Sequence, residues 1–305
     1  MTKDSDRAAG RPAKPDEQEV SVARHPRSYR GSAYVYPVLS RRARGISIGI
    51  NLNPDKVCNF DCIYCQVDRT TAPQVRRVDE ARLKEELLAL LREAKGGDLF
   101  DRPEFRSVPE PFRVVRDITF AGDGEPPSYA NFKGVVEEVL AIKKAAGFAD
   151  LKVILLTNAT LIDRPKVKEA MRLMDRDRGE FWLKLDAGTE EYYRLVDRTT
   201  IPLAKVLANI LEAARERPVV LQSLFMMVRG AGPPAEEIAA YCDRVSEITS
   251  GGGRVSLIQV YTVARPPAES FVAPLSDGDL DLIAGEVRRR LPAVPVETFY
   301  SGDPA

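Results

Sequence analysis

The sequence predicts an α/β fold: a partial parallel (β/α)6 barrel with an N-terminal tail and a C-terminal α/β extension. Three observations predict it. Six short runs of β-branched and aromatic residues alternate along the chain with segments of 3.6-residue period, the pattern of a parallel sheet wound as βα units. The 305 residues are 44% hydrophobic and 30% charged, a globular balance that can bury a large core. No apolar run approaches the ~18 residues that suggest a membrane-spanning helix, so the helices are expected to pack on the sheet.

Residues 1–32 mix Lys, Arg, Asp, Glu, Pro, Ala and Gly without hydrophobic period and are expected to form a mobile tail. The core is expected over 33–263. Its strands read at 46–51, 117–121, 152–157, 181–186, 219–227 and 254–261. Its helices read at 80–94, 133–146, 166–174, 204–216 and 235–248. The first helix carries Leu83, Leu87, Leu88 and Leu91 on one stripe, as a helix laid on a sheet does. Residues 96–116 are proline-bearing and without period, which reads as an inserted loop. A helix at 277–290 and a strand at 294–299 belong to the C-terminal extension, 264–305.

Composition narrows the function. The N-terminus lacks the apolar stretch of a secretory signal, so a cytoplasmic protein with no membrane partner is expected. Lys plus Arg equals Asp plus Glu at 45 each. A chain-wide basic footprint is absent, so nucleic acid is an unexpected partner, although a local patch stays open. The single histidine, His25, lies in the tail and argues against a histidine-rich metal site or a histidine proton relay. Four cysteines in the chain are too sparse for a disulfide scaffold.

Three of those cysteines, Cys58, Cys62 and Cys65, form a C-x3-C-x2-C run directly after the first predicted strand. Three thiolates on one short loop suit a soft metal centre. A closed zinc site takes four ligands, usually in two pairs, and no second pair exists here. A redox Cys62/Cys65 pair would leave Cys58 without a task. An iron–sulfur cluster uses thiolates, and three around four irons leave one iron open. The fourth cysteine, Cys242, falls in line with Ile238 and Val245 at helical spacing, a core position.

Candidates also stand at the ends of later strands. After the second come Gly122, Asp123, Gly124 and Glu125, where glycines permit close backbone approach and the carboxylate can meet an ammonium; an ordinary βα turn has the same composition. After the third comes Asn158, a turn residue or a ligand contact. On the fourth, Trp182, Lys184 and Asp186 share a face by period two. Lys184 and Asp186 either pair with one another or meet a polar ligand, because burying them alone is costly. On the fifth, only one of Gln222 and Ser223 can face inward. Gln259, Tyr261 and Arg265 stand at the end of the sixth, as substrate-mouth or plain structural residues.

The segment Cys58-Asn59-Phe60-Asp61-Cys62-Ile63-Tyr64-Cys65 resembles the cluster loop of the radical S-adenosylmethionine (SAM) superfamily. Gly122-Asp123-Gly124-Glu125-Pro126 resembles its Gly-Gly-Glu-Pro turn, with Asp123 in place of one glycine. Ser40-Arg41-Arg42 ahead of the loop resembles the wyosine-synthase-like branch, though this chain has no cysteine before Cys58 and so is not expected to hold that branch's extra upstream cluster. The arginines could equally be structural.

The resemblance implies a [4Fe-4S] cluster on Cys58, Cys62 and Cys65. It further implies SAM held by Gly124 and Glu125 at its amino group and by Lys184 and Asp186 at more distal groups, and packed near Tyr64 at its adenine, with Gly122 and Asn158 as further cofactor-binding residues. The implied reaction is reductive cleavage of SAM to a 5′-deoxyadenosyl radical that takes hydrogen from an unidentified substrate, with a flavodoxin or ferredoxin-type protein as electron donor. A tRNA-base-modifying enzyme and a non-catalytic iron–sulfur protein are the alternative readings.

Overall fold

Short runs rich in Val, Ile, Leu and Phe become strands in the computed structural model, which describes residues 29–302. The strands are β1 (Val35–Ser40), β2 (Gly45–Ile50), β3 (Val115–Phe120), β4 (Lys152–Thr157), β5 (Gly179–Lys184), β6 (Val219–Leu224), β7 (Met227–Val228), β8 (Val255–Tyr261), β9 (Val272–Ala273) and β10 (Val296–Phe299). Eight of them form one sheet in the order β1-β2-β3-β4-β5-β6-β8-β10. Only β1 runs antiparallel to its neighbour; every other pairing in that sheet is parallel. The two ends of the sheet do not pair, so the barrel is partial.

Helices α1 (Glu80–Gly96), α2 (Phe132–Ala145), α3 (Pro165–Asp175), α4 (Glu190–Asp197), α5 (Leu203–Glu216), α6 (Ala235–Ser250) and α7 (Asp277–Arg290) complete the chain. Helix α1 starts where the Asp79 side chain accepts the Arg82 N–H at 3.1 Å, an N-cap worth about 1 kcal/mol. Its buried stripe is Leu83, Leu87, Leu90 and Leu91, so Leu90 replaces the expected Leu88. Helix α2 docks on β3 partly through Phe132 edge-on to Phe120 at 5.4 Å, a geometry worth about 0.5–1.5 kcal/mol beyond burial.

The main core is continuous, and a smaller cluster of Ile154, Trp182 and Val220 with Leu156 and Leu257 is separate from it. Period two explains the division: alternate residues of β4, β5, β6 and β8 face opposite sides of the sheet. Cys242 is fully buried on α6 beside Ile238 and Val245, as its spacing predicts.

The six barrel strands stand where the sequence places them, with differences at the margins. β1 was not anticipated: residues 35–40 pair with β2 because Ser40 to Gly45 close a tight hairpin, with Arg44 left-handed at φ 53°. Helix α4 also escaped the periodicity reading, because eight residues give barely two turns of pattern. The inserted loop at 96–116 buries Leu99, Phe105 and Val108 and contains two short 3-10 turns. The fifth predicted strand stops at Leu224. β10 joins the main sheet beside β8. Residues 1–28, including His25, lie outside the described residues.

Candidate active site

In parallel βα sheets the loops at the C-terminal strand ends gather side chains from many elements. Here those ends surround a cavity of about 250 Å³ whose walls include Cys58, Cys62, Cys65, Gly124, Glu125 and Asn158. Tyr64, Gly122, Lys184 and Trp182 line it as well. Asp186 does not, although it was expected on the same face as Lys184. It lies just past the end of β5 with both oxygens engaged: one takes the Leu224 N–H at 2.8 Å, the other the Tyr64 hydroxyl at 2.5 Å. Lys184 Nζ is 3.1 Å from the latter oxygen.

The cysteine loop follows β2 and is held by its backbone. The Asp61 and Ile63 N–H groups donate to the carbonyls of Asp197 and Val196 at the end of α4, at 3.2 and 2.9 Å. Cys65 N–H donates to Cys62 O at 3.0 Å and Ala268 N–H to Cys65 O at 3.0 Å. Asn59 bridges to the end of β4, donating to Thr160 Oγ1 at 2.7 Å and accepting from Asn158 Nδ2 at 2.8 Å. Asn158 is therefore an inter-loop tie; the residue in the left-handed region is its neighbour Ala159, at φ 62°.

The turn after β3 lies tightly against this loop. A Cβ on Gly124 would fall 2.2 Å from Val57 O and 2.7 Å from Asn53 Cβ. One on Gly122 would fall 2.3 Å from Asn51 Oδ1. Asn51 in turn donates to Asp123 Oδ2 at 2.8 Å and accepts the Asp123 N–H at 3.2 Å. Close approach, which only glycine allows, is the local reason for this sequence.

Glu125 is 3% exposed. It accepts the Thr157 hydroxyl and, at 2.9 Å, the Asn158 N–H. Burial pushes its carboxyl up to about 7, against the lowering effect of those two donors. Burial alone would lower the Lys184 pKa, but the Asp186 charge and the Tyr261 hydroxyl, 3.0 Å away, reverse this and hold it raised.

Asp197 is a residue that sequence reasoning missed. Its Oδ1 accepts from Cys62 Sγ at 3.2 Å and contacts the Tyr64 hydroxyl at 3.0 Å. Burial and the nearby Asp186 charge push its carboxyl up to about 7. A helix-terminal aspartate 132 positions beyond Cys65 carries no local signal of this contact. Gln222 and Ser223 divide as alternation requires. Gln222 donates to Gln259 at 2.7 Å, and Ser223 pairs with the α6 residue Tyr241 at 2.7 Å. Arg265 stands at the cavity wall.

Residues 52–245 match the family model of the radical SAM superfamily. The chain belongs to that superfamily. It is 26% identical over 247 residues to a UPF0026 protein of Helicobacter pylori, covering 80% of this chain and 70% of that one. In fold it is similar to TYW1 solved with a lysine–pyruvate adduct bound, at a TM-score of 0.53 and 15% identity over 84% of each chain. It is similar too to Streptococcus suis SuiB solved with SAM bound, at a TM-score of 0.54 and 12% identity over 85% of this chain and 49% of that one.

Radical SAM enzymes use a [4Fe-4S] cluster and SAM, and they need a reductant and a substrate. The residues of this radical SAM enzyme fit both groups. Its three loop cysteines are free thiols on the wall of one cavity. Among the described residues no three His, Cys, Asp or Glu side chains converge as they would on a single ion. A cubane instead takes each thiolate on a different iron. Among the described residues no helix is long and apolar enough to cross a membrane.

Proposed function

We propose that Cys58, Cys62 and Cys65 ligate one [4Fe-4S] cluster and that Glu125 receives the ammonium of SAM beside it. The observation that carries this reading is the buried Glu125 carboxyl on the same cavity wall as the three thiols. When bound and reduced, the cluster supplies the electron that splits SAM into methionine and a 5′-deoxyadenosyl radical, which takes hydrogen from a substrate. The protein's own residues bind and orient. Gly122 and Gly124 let the turn approach, Asn158 ties the β4 end to the cysteine loop, and Tyr64 and Lys184 face SAM's distal side. Asp186 positions both of the last two through its hydrogen bond and ion pair. A flavodoxin or ferredoxin-type donor supplies the electron, and four free cysteines suit a reducing cytoplasm.

The test is the Glu125→Ala variant. A charge-assisted hydrogen bond in a desolvated site is worth roughly 1.5–3 kcal/mol, so SAM affinity is expected to fall about 10- to 150-fold. Titration of the reduced cluster's paramagnetic resonance with SAM measures this. Iron content should remain at about four per chain, and wild type should release 5′-deoxyadenosine. A wild-type spectrum indifferent to SAM would return the protein to the non-catalytic reading.

A further inference from the structure

Beyond the cysteine wall, a second cavity of about 210 Å³ adjoins the first, sharing seven residues with it, among them Arg42, Tyr64, Cys65, Gly122 and Arg265. Its lining contains three arginines, Arg41, Arg42 and Arg265, and neither Asp nor Glu. Cys58, Glu125 and Asn158 do not line it, whereas Gly122 and Tyr64 of the proposed SAM site do, so it opens off the edge of that site. Arg42 spans the two cavities, its guanidinium 4.9 Å from the centre of the Tyr261 ring and 5.6 Å from that of Trp182. Stacking of this kind fixes the plane of the guanidinium and leaves its N–H edge to bind. Among the described residues Arg42 forms no ion pair. The nearby Lys184 has its charge balanced by Asp186. The indole Nε1 of Trp182, a residue 7% exposed on the cavity wall, is buried with no hydrogen-bond partner. A buried polar group without a partner costs about 1–3 kcal/mol, which a ligand acceptor would recover.

We propose that Arg42 and the Trp182 indole N–H bind an oxyanion, a carboxylate or a phosphate, that is the handle of the enzyme's substrate. Both groups are donors only, so their ligand must be an acceptor. The uncompensated guanidinium requires that acceptor to be charged, and the fork matches two oxygens of one group. Trp182 lines only the first cavity and Arg42 both, so the handle sits where the two cavities meet and the rest of the substrate extends along the wall at Cys65, which both share. This rests on the SAM site proposed above.

Trp182 is the only tryptophan of the chain, so its fluorescence reads this wall directly. The cluster-reconstituted, SAM-loaded protein is titrated separately with inorganic phosphate and with acetate, against chloride at matched ionic strength. One oxyanion is expected to change the emission saturably, with half-saturation on the order of millimolar for so small a probe. Which one saturates first tells phosphate from carboxylate. Arg42→Met should weaken that response about tenfold or more, and Arg42→Lys should fall between, as loss of the fork predicts. Arg42 lies in the β1–β2 turn, and iron content with circular dichroism checks that the variants are folded. Their SAM titrations, read by paramagnetic resonance, should stay within about threefold of wild type. Equal responses to both oxyanions and chloride, an anion response unchanged in Arg42→Met, or a larger loss of SAM affinity in that variant would each overturn the proposal. The last would give Arg42 to the SAM carboxylate. A wild type that binds no SAM at all defeats the SAM reading instead, separately from the anion titrations.

Discussion

Glu125 shows how a single residue can be placed against its own charge. Its carboxyl is raised to about 7 from an ordinary 4.5 because burial disfavours the anion more than two donors favour it. The protonated form is therefore stabilised in the folded protein without ligand. That contribution is complete below the unfolded value and is lost as pH rises through the folded one, an order-of-magnitude loss of about 3 kcal/mol across the window. Urea unfolding of cluster-free protein at pH 5 and pH 8 should show this slope, and Glu125→Gln should reduce it, leaving the share of Asp197, which is raised over the same window. SAM has the opposite dependence: its ammonium favours the ionised carboxylate, so wild-type affinity should rise with pH up to about 7 and then level. A flat SAM affinity between pH 6 and 8 would mean that Glu125 does not meet the ammonium. Gly124 tests the neighbouring geometry. Since a Cβ there meets backbone at 2.2 Å, Gly124→Ala must displace the cysteine loop, at a cost of about 1–3 kcal/mol. Thermal unfolding and iron retention should both fall.

At the scale of elements, the cysteine loop has no secondary structure of its own and takes its shape from its neighbours. Two backbone hydrogen bonds from the end of α4 and the Asn59–Asn158 tie to β4 position it. Asn59→Ala removes the ties to Asn158 and Thr160 while leaving the three thiols in place. The expected result is faster iron loss to a chelator with little change in the unfolding midpoint, and an unchanged rate would show that the backbone bonds to α4 and Ala268 hold the loop without it. Helix α6 supplies the contrast. Cys242 is buried among its apolar residues and does not line the cavity, so Cys242→Ala should keep full iron and cost about 1–2 kcal/mol, as a small core truncation does. Iron analysis of that variant checks it. The helices and central strands were legible because each is long enough to display its period. Helix α4 and β1 were not, the first being two turns long and the second depending on a hairpin partner.

For the molecule as a whole, charge and concavity matter together. Formal net charge is zero, while three arginines and no carboxylate line the second cavity. Bulk affinity for polyanions grows with the number of phosphates neutralised. A cavity of this size can hold one small anion but cannot track a nucleic-acid backbone. Gel-shift titration with bulk tRNA is thus expected to show weak binding that collapses between 50 and 200 mM salt. Tight binding at the upper salt would favour the tRNA-modifying reading instead.

By itself the sequence determined the parallel βα winding, the cysteine loop and the identity of Glu125 as a candidate, because each is written in residues near one another in the chain. Period two was enough to put Lys184 on the inner face, and helical spacing was enough to bury Cys242. Only the tertiary structure decided what those residues meet. It placed Asp197 against Cys62 and Tyr64, engaged both Asp186 oxygens internally, and brought Arg42 from the first hairpin over Trp182 and Tyr261. The physical reason is that a curled sheet brings together strand ends separated by a hundred or more residues. Contacts across that concave face leave no period or spacing in the chain for a reader to find.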